Sequence, residues 1–202
     1  MVITYEVNDN LYVNVTNKCS NACDFCVRNL KAAFQNDLWL EREPTSEEIV
    51  KDIFSRDLSK YKQLVFCGFG EPLERVDTVI EVCRRVKEKS SIGIRINTNG
   101  QANKIHNYDV TSKFKDLVDS VSISLNARNA KEYDEICHSI FGEEAFDAIL
   151  DFTKKCKKVV KNVQLSIVDC IPREHIDECK KIADNLGVKL KIRKEVKACE
   201  NK

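Results

Sequence analysis

The stretch "SVSISLN" (residues 120–126) alternates apolar and polar side chains. Its apolar positions are Val121, Ile123 and Leu125, and its polar positions are Ser122, Ser124 and Asn126. A period of two predicts a β-strand with one buried face and one polar face. Residues 11–16, 92–97 and 163–168 alternate in the same way. The sequence therefore predicts a sheet in which at least four strands share a polar side.

Strand-like and helix-like stretches follow each other along the chain. The predicted strands are residues 11–16, 63–67, 92–97, 120–126, 163–168 and 188–193. The predicted helices are residues 45–58, 76–89, 110–118, 129–137, 144–159 and 172–187. Thr45 and Glu48 have the spacing of a capping box at the start of the first helix. Regular alternation of this kind predicts a parallel sheet.

The polar strand faces decide between two kinds of parallel α/β fold. Helices on both sides of a flat sheet require strands that are apolar on both faces. Solvated edge strands would explain one or two polar faces, but not four. We therefore predict a partial (β/α)6 TIM-like barrel, with a curved parallel sheet around a polar lumen. Residues 1–202 suit a single domain, with ligands bound at the carboxyl ends of the strands.

Composition narrows the class of protein. Lys plus Arg is 33 and Asp plus Glu is 32, so there is no electrostatic footprint for nucleic acid or for a membrane. No apolar run could span a bilayer, and the start "MVITYEVNDN" lacks the pattern of a signal peptide. We expect a cytoplasmic protein. Ten cysteines in that compartment favour a metal site and buried thiols over disulfides.

Three cysteines follow the first predicted strand in "CSNACDFC" (residues 19–26), with the spacing C-x3-C-x2-C. Thiolates are soft ligands and select zinc or an iron–sulfur cluster. A closed site usually takes four protein ligands, so Cys19, Cys23 and Cys26 leave one position open. A small chelating molecule could fill it. Alternatives are a zinc site completed by a distant His or Cys, and a thioredoxin-like pair of Cys23 and Cys26.

A second motif, "VFCGFGEPL" (residues 65–73), closes the second predicted strand. Glycine lets a backbone approach a ligand closely. The carboxylate of Glu71 could accept hydrogen bonds from an ammonium group. Two further stretches, "NTNG" (residues 97–100) and "SISLN" (residues 122–126), end the third and fourth predicted strands. We call this edge of the sheet, at the carboxyl ends of the strands, the rim.

Together these stretches resemble the radical S-adenosylmethionine (SAM) superfamily. The cysteine spacing, with aromatic Phe25 before the third cysteine, matches the family signature, and Gly70-Glu71-Pro72 resembles its Gly-Gly-Glu-Pro motif. Phe69 stands where the first glycine is common. The resemblance implies a [4Fe–4S] cluster on Cys19, Cys23 and Cys26, whose open iron is chelated by SAM. It also implies reductive cleavage of SAM to a 5′-deoxyadenosyl radical that abstracts hydrogen from a substrate.

The resemblance also implies which residues contact SAM. They are Phe25, Gly68, Phe69, Gly70, Glu71, Thr98, Asn99, Ser124, Asn126 and, on weaker grounds, Ser166. Glu71 would hold the methionine amino group. An external electron donor of the flavodoxin or ferredoxin type is expected as a partner.

Three functions remain open from the sequence. The first is a radical SAM enzyme acting on an unidentified substrate. The stretches "NVTNKCSNACDFCVRN", "VFCGFGEP" and "SLNA" are most similar to small radical SAM proteins associated with TatD-type hydrolases, so such a partner is possible. The second is an activase of a glycyl-radical enzyme, although such activases often carry Asp-x-Lys where this chain has Ser124-Leu125-Asn126. The third is a non-catalytic iron–sulfur or zinc protein.

Overall fold

Seven strands form one open sheet whose neighbours follow the order of the chain. The structure is a computed structural model that describes residues 1–29 and 38–196, so Cys199 lies outside it. The strands are β1 (Thr4–Val7), β2 (Asn10–Val13), β3 (Gln63–Phe66), β4 (Gly93–Thr98), β5 (Ser120–Ser124), β6 (Asn162–Val168) and β7 (Lys189–Arg193). β1 pairs antiparallel with β2, and every later pair is parallel. The six-stranded parallel prediction is confirmed; β1 was not predicted.

Six α-helices connect or follow these strands. They are α1 (Ser46–Phe54), α2 (Val76–Lys87), α3 (Ala102–His106), α4 (Ala130–Cys137), α5 (Glu144–Val159) and α6 (Arg173–Leu186). Short 3-10 turns cover Val27–Asn29, Leu58–Lys60, Pro72–Arg75 and Thr111–Phe114. The predicted capping box is present: the Thr45 side chain accepts from the Glu48 N–H, and the Glu48 side chain accepts from the Thr45 N–H.

Two details of the helix prediction were wrong. Residues 110–118 form only the 3-10 turn Thr111–Phe114, because the chain turns at Asp116, which has a φ of +62°. Helix α3 was missed because its five residues are too few to show a helical period.

The apolar strand faces lie under the helices, as the alternation predicted. Leu11, Leu64, Ile94, Val121 and Leu165 represent this face, and each is at most 1% exposed. Burying a side chain of this size stabilises the fold by about 1.5–3 kcal/mol. Helix α2 covers the sheet with a matching buried stripe that includes Val79, Cys83 and Val86. This layer holds the sheet in the curvature that creates the opposite, concave side.

The concave side of the sheet is polar, and we call it the lumen. Register places Ser122 of β5 beside Gln164 of β6, and the Gln164 Nε2 donates to the Ser122 Oγ at 3.0 Å. On β4, Arg95 points to the same side and donates to the Tyr12 hydroxyl at 3.2 Å. The barrel stays open, because β1 pairs only with β2 and β7 only with β6. The predicted partial barrel with a polar lumen is therefore confirmed.

Strand β5 ends two residues earlier than predicted, at Ser124. The N–H groups of Leu125 and Asn126 both point to the Ser166 carbonyl, at 2.8 and 3.4 Å. Asn126 then adopts a left-handed conformation with a φ of +57°, which asparagine tolerates better than most residues. Because the strand has ended, the alternation that placed Asn126 beside Ser124 on one face does not extend to it.

Candidate functional site

The three cysteines lie on the segment that follows β2, which we call the cysteine loop (residues 16–29). Cys19, Cys23 and Cys26 are each partly buried. The Cys26 N–H donates to the Cys23 carbonyl at 3.1 Å, and a 3-10 turn at Val27–Asn29 follows. The loop therefore starts at the carboxyl end of a parallel strand, where ligands bind in sheets of this class.

The end of helix α4 holds the cysteine loop from one side. The Ala22 N–H donates to the Cys137 carbonyl at 3.0 Å, and the Asp24 N–H donates to the Ile136 carbonyl at 3.1 Å. The last carbonyls of a helix have no partner inside the helix, so the loop satisfies them. Arg28 donates from Nη2 to the Asn21 carbonyl at 3.1 Å, which fixes the loop internally.

Behind the loop lies a group of buried side chains that we call the amide network (Asn21, Gln101, Tyr133 and Ser139). Gln101 is fully buried, and its Nε2 donates to the Asn21 Oδ1 at 2.8 Å and to the Tyr133 hydroxyl at 2.9 Å. Asn21 donates to the same hydroxyl at 2.8 Å, and Ser139 donates to the Gln101 Oε1 at 3.0 Å. This satisfied network fixes the backbone that carries Cys19 and Cys23.

The glycines of the second motif permit contact between two protein segments. A Cβ at Gly70 would lie 2.3 Å from the Thr16 carbonyl oxygen and 2.5 Å from that of Lys18. A Cβ at Gly68 would lie 2.1 Å from the Asn14 Oδ1. The Glu71 N–H donates to the Lys18 carbonyl at 2.8 Å. The β3 loop thus packs directly on the start of the cysteine loop, which is a tighter constraint than approach to a ligand.

Glu71 is buried and already accepts three hydrogen bonds from the protein. Its donors are the Leu73 N–H at 3.0 Å, the Thr98 hydroxyl at 2.7 Å and the Asn99 N–H at 2.6 Å. Burial raises the pKa of Glu71 to about 7, although these three bonds act in the opposite direction. The carboxyl group therefore joins the β3 and β4 loops, and its predicted contact with SAM stays a prediction.

The side chains of Thr98 and Asn99 likewise already form hydrogen bonds within the protein. The Thr98 hydroxyl accepts from the Gly100 N–H at 3.0 Å while it donates to Glu71. Asn99 donates from Nδ2 to the Ser20 Oγ at 2.8 Å and accepts from the Gln101 N–H at 3.0 Å. Both side chains are buried. They bring the end of β4 against the cysteine loop, and their contact with SAM stays a prediction.

The other predicted site residues lie around this rim. Ser124 and Ser166 are register partners on β5 and β6. Asn126 donates from Nδ2 to the Cys137 Sγ at 3.7 Å. Phe25 packs on the hydrophobic core, and the Phe69 ring lies 5.3 Å from that of Trp39. The predicted residues are therefore near one end of the sheet, divided between buried connections and the lumen.

The thiols differ in their electrostatic surroundings. Burial raises the pKa of Cys19 to about 12 and also raises that of Cys26. A hydrogen bond from the Cys137 thiol holds the pKa of Cys23 below its usual range. A metal centre would supply the positive charge that buried thiolates need.

The donor set fits an iron–sulfur cluster better than a single ion. Within residues 1–29 and 38–196, no group of three His, Cys, Asp or Glu side chains is arranged to hold one metal ion. A four-iron cluster binds each thiolate on a different iron, so its ligands lie farther apart than those of a zinc ion. Cys19, Cys23 and Cys26 supply three soft, partly buried thiols on one loop, which is the type of ligand that such a cluster takes.

Of the other cysteines in the described residues, four are buried thiols of the kind that the sequence predicted, namely Cys83, Cys137, Cys156 and Cys179. Cys83, Cys156 and Cys179 are buried in helices. Cys67 follows β3 and faces the lumen beside Asn97, whose hydrogen bond opposes the effect of burial on the thiol pKa. Cys170 is exposed.

Sequence reasoning did not find the amide network or Cys137 as parts of the site. Asn21 and Tyr133 are 112 positions apart, and no spacing rule connects them. Gln101 directly follows "NTNG", so its position at the rim was the one available signal.

Comparison with known proteins gives a consistent result. A family model described as "Radical SAM superfamily" matches residues 13–186. A protein of Methanocaldococcus jannaschii named "Putative glycyl-radical enzyme activating enzyme MJ1227" is 33% identical over 140 residues, which are 69% of this chain and 53% of that protein. A protein of Protochlamydia amoebophila named "Probable dual-specificity RNA methyltransferase RlmN 1" is 25% identical over 213 residues, covering 95% of this chain and 54% of its own. The chain thus spans about half the length of these relatives.

The fold also matches a solved structure. SuiB of Streptococcus suis, bound to S-adenosylmethionine, superposes with a TM-score of 0.68 at 15% identity, over 95% of this chain and 39% of that one. At that identity the match concerns the fold alone.

Proposed function

The chain belongs to the radical SAM superfamily, and we propose that it is an enzyme whose cluster is held by Cys19, Cys23 and Cys26 and whose substrate lies in the lumen. The family's cofactors are a [4Fe–4S] cluster and SAM. One observation carries the proposal: three thiols sit on a loop that two neighbouring strand ends hold in place through buried bonds. A loop held this firmly gives the three sulfurs a fixed arrangement.

A cluster held by Cys19, Cys23 and Cys26 would, together with SAM, supply the chemistry, which is reductive cleavage of SAM to a radical able to abstract hydrogen. The chain's own residues bind these groups and orient them. Burial disfavours the thiolates of Cys19 and Cys26 without a cation, so these thiols would release their protons on holding iron. Glu71, Thr98 and Asn99 hold the rim loops together, and Ser124 and Ser166 present hydroxyls toward the lumen.

The predicted SAM contacts extend this proposal to individual residues. Gly68, Phe69 and Gly70 form the backbone edge next to the cysteine loop, and Asn126 lies beside Cys137. Glu71 has two carboxylate oxygens with about four acceptor sites, of which three are used. One site is thus left for the ammonium group of SAM.

A second candidate is activation of a glycyl-radical enzyme. The relative from M. jannaschii carries such a name, and this favours the idea. The rim sequence Ser124-Leu125-Asn126 lacks the Asp-x-Lys that such activases often carry, and this weighs against it. Radical transfer to a partner protein, rather than to a small molecule, would distinguish the two.

Partners and location belong to the same proposal. An external electron donor of the flavodoxin or ferredoxin type would reduce the cluster. A TatD-type hydrolase partner stays a prediction from the sequence, as does a single domain over residues 1–202. A cytoplasmic location is favoured by ten cysteines. None of the helices in the described part of the chain is both long and apolar enough to cross a membrane.

The experiment is anaerobic reconstitution with iron and sulfide, followed by addition of dithionite and SAM. We expect about four irons per chain and production of 5′-deoxyadenosine. Cys19→Ala, Cys23→Ala and Cys26→Ala should each lose the cluster absorbance and the product.

Cys83→Ala is the matched control, since Cys83 is fully buried in α2 and away from the loop. It should retain iron and product. Stoichiometric zinc after reconstitution, or iron that persists in all three loop variants, would overturn the proposal. A cluster without 5′-deoxyadenosine would favour the non-catalytic iron–sulfur protein.

A further inference from the structure

The inward-facing side chains of the strands carry charge of one sign. Strand register places Arg95 of β4 and Lys189, Lys191 and Arg193 of β7 on the lumen side. No inward-facing position of β1–β7 is Asp or Glu. The whole chain has nearly equal numbers of acidic and basic residues, 32 and 33, so this segregation is local.

Among the described residues, both arginines donate hydrogen bonds only to neutral groups. Arg95 donates to the Gln63 Oε1 at 3.1 Å and to the Tyr12 hydroxyl at 3.2 Å. Arg193 donates from Nη2 to the Ser122 Oγ at 3.2 Å. The Nε atoms of both are buried, and neither has an acceptor among residues 1–29 and 38–196. A guanidinium is built to bind a carboxylate or phosphate with two parallel bonds.

The lumen cations (Arg95, Lys191 and Arg193) act on one another. Partial burial lowers the pKa of Lys191, and the charges of Arg193 and Arg95 lower it further. The same two arginines act on the Cys67 thiol at the top of β3. The three cations therefore repel one another, and Lys191 is the exposed member of the group. In the described part of the chain, no carboxylate forms an ion pair with any of them.

Such an arrangement is costly for the protein alone. Like charges in a partly desolvated volume repel, and a buried charge without a partner destabilises a fold. Groups kept in an unfavourable state of this kind mark functional sites, where a ligand completes the interaction.

We propose that the lumen binds a small anionic molecule, with a carboxylate or phosphate group held by Arg95 and Arg193. The inference deepens the proposed function, on which it rests in taking this molecule to be the substrate.

The position suits a substrate at the rim. Arg193 lies at the carboxyl end of β7 and reaches to Ser122, two residues below Ser124. Two strand residues span about 7 Å, so an anion at this level leaves the rest of a small molecule close to the rim loops. Below it, a cavity of about 700 Å³ opens at the amino ends of the strands, with Arg95 in its wall.

The test is a thermal melt of the reconstituted protein in Tris buffer with inorganic phosphate or with succinate. Succinamide is the neutral control, and sodium chloride matches the ionic strength. Comparison of phosphate with succinate shows whether the site prefers a phosphate or a carboxylate group. At about ten times the dissociation constant, binding should raise the melting temperature by about 3–6 °C.

Arg193→Gln should abolish this shift, and Lys191→Gln should reduce it. Lys180→Gln, which removes the same charge from an exposed position on α6, should retain it. Without added anion, Arg193→Gln should melt no lower than the unmodified chain, because it removes a repelling charge. A large drop would assign Arg193 a structural role and overturn the inference.

Three other results would also overturn it. They are no shift beyond that of sodium chloride, a shift equal in Arg193→Gln, and a shift abolished by saturating SAM. The last would mean that the arginines bind the SAM carboxylate. The two proposals fail separately. Production of 5′-deoxyadenosine without an anion shift overturns only this inference. An anion shift without that product overturns the proposed function, and with it the identification of the anion as a substrate, but leaves the anion site.

Discussion

Two polar regions of this molecule, the amide network and the lumen cations, are built in opposite ways. In the network, Gln101 is fully buried and bonds to Asn21, Tyr133 and Ser139. Among the lumen cations, Arg95 and Arg193 leave buried Nε groups without acceptors in the described residues. Satisfied buried groups rigidify a structure, whereas unsatisfied ones destabilise it.

The difference teaches where each region acts. The network lies behind the cysteine loop and fixes the backbone on which three sulfurs must stand. The lumen cations lie where a substrate would be, and their unfavourable state is relieved only when an anion binds. Variants in the amide network, or in the rim loops packed beside it, should therefore reduce the free energy of unfolding. Variants among the lumen cations should mainly affect ligand binding.

The largest effect is expected from Gly70→Ala. The new Cβ would lie 2.3 Å from the Thr16 carbonyl oxygen, so the β3 loop and the cysteine loop would have to separate. We expect a loss of at least about 3 kcal/mol in the free energy of unfolding, measured in urea, with loss of iron binding. Gly93→Ala is the control, since its Cβ would have no neighbour closer than 3.8 Å. Equal stability of the two variants would contradict a stabilising role for the contact between the β3 loop and the cysteine loop.

Gln101→Leu tests the amide network directly. The change would leave the Asn21 Oδ1 without a donor and the Ser139 hydroxyl without an acceptor, in a region with little access to water. Each such group costs about 1–3 kcal/mol, so we expect a loss of roughly 3 kcal/mol. Urea denaturation measures it, and Lys180→Gln should stay within about 0.5 kcal/mol of the unmodified chain. A loss below about 1 kcal/mol would contradict a network that depends on all its bonds.

Glu71 gives the free energy of unfolding a pH dependence whose sign follows from its raised pKa. Its pKa is about 7 in the folded chain, because burial disfavours the carboxylate, and near 4.5 when unfolded. The folded state therefore holds the proton more tightly between these values, and stability falls as pH rises from about 4.5 to about 7. The loss reaches up to about 3 kcal/mol and levels off above pH 7.

The measurement is urea denaturation at several pH values, for the unmodified chain and for Glu71→Gln. The variant should lack this component of the slope. A component that rises with pH would show that the three hydrogen bonds outweigh burial.

The smallest effect is expected in the lumen. Ser122→Ala removes the oxygen that accepts from Gln164 at 3.0 Å and from Arg193 at 3.2 Å. We expect a loss of only about 1 kcal/mol, because these donors face the lumen rather than a packed interior. Equilibrium unfolding compares it with Gln101→Leu. A loss as large as that of the network variant would mean that both regions are structural, and the comparison would fail.

Much of the fold was predictable because it depends on local patterns. The alternation in residues 120–126 predicted one face under helices and one toward a lumen, and Val121 and Ser122 lie on those faces. The capping box at Thr45 was equally local. Strand β1 was missed because four residues of an antiparallel edge carry too short a pattern, and the turn at Asn126 because alternation says nothing about where a strand stops.

The sequence by itself determined the class of site: three thiols in one loop, a glycine-rich stretch after the next strand, and polar strand ends on one edge of a parallel sheet. Only the tertiary structure decided how these parts are connected. It paired Asn21 with Tyr133, turned Glu71 toward Thr98 and Asn99, and placed Arg95 and Arg193 on the lumen side of the sheet. The physical reason is that spacing fixes which residues share a strand or a loop. Hydrogen bonds and charges act instead between segments that only packing brings together.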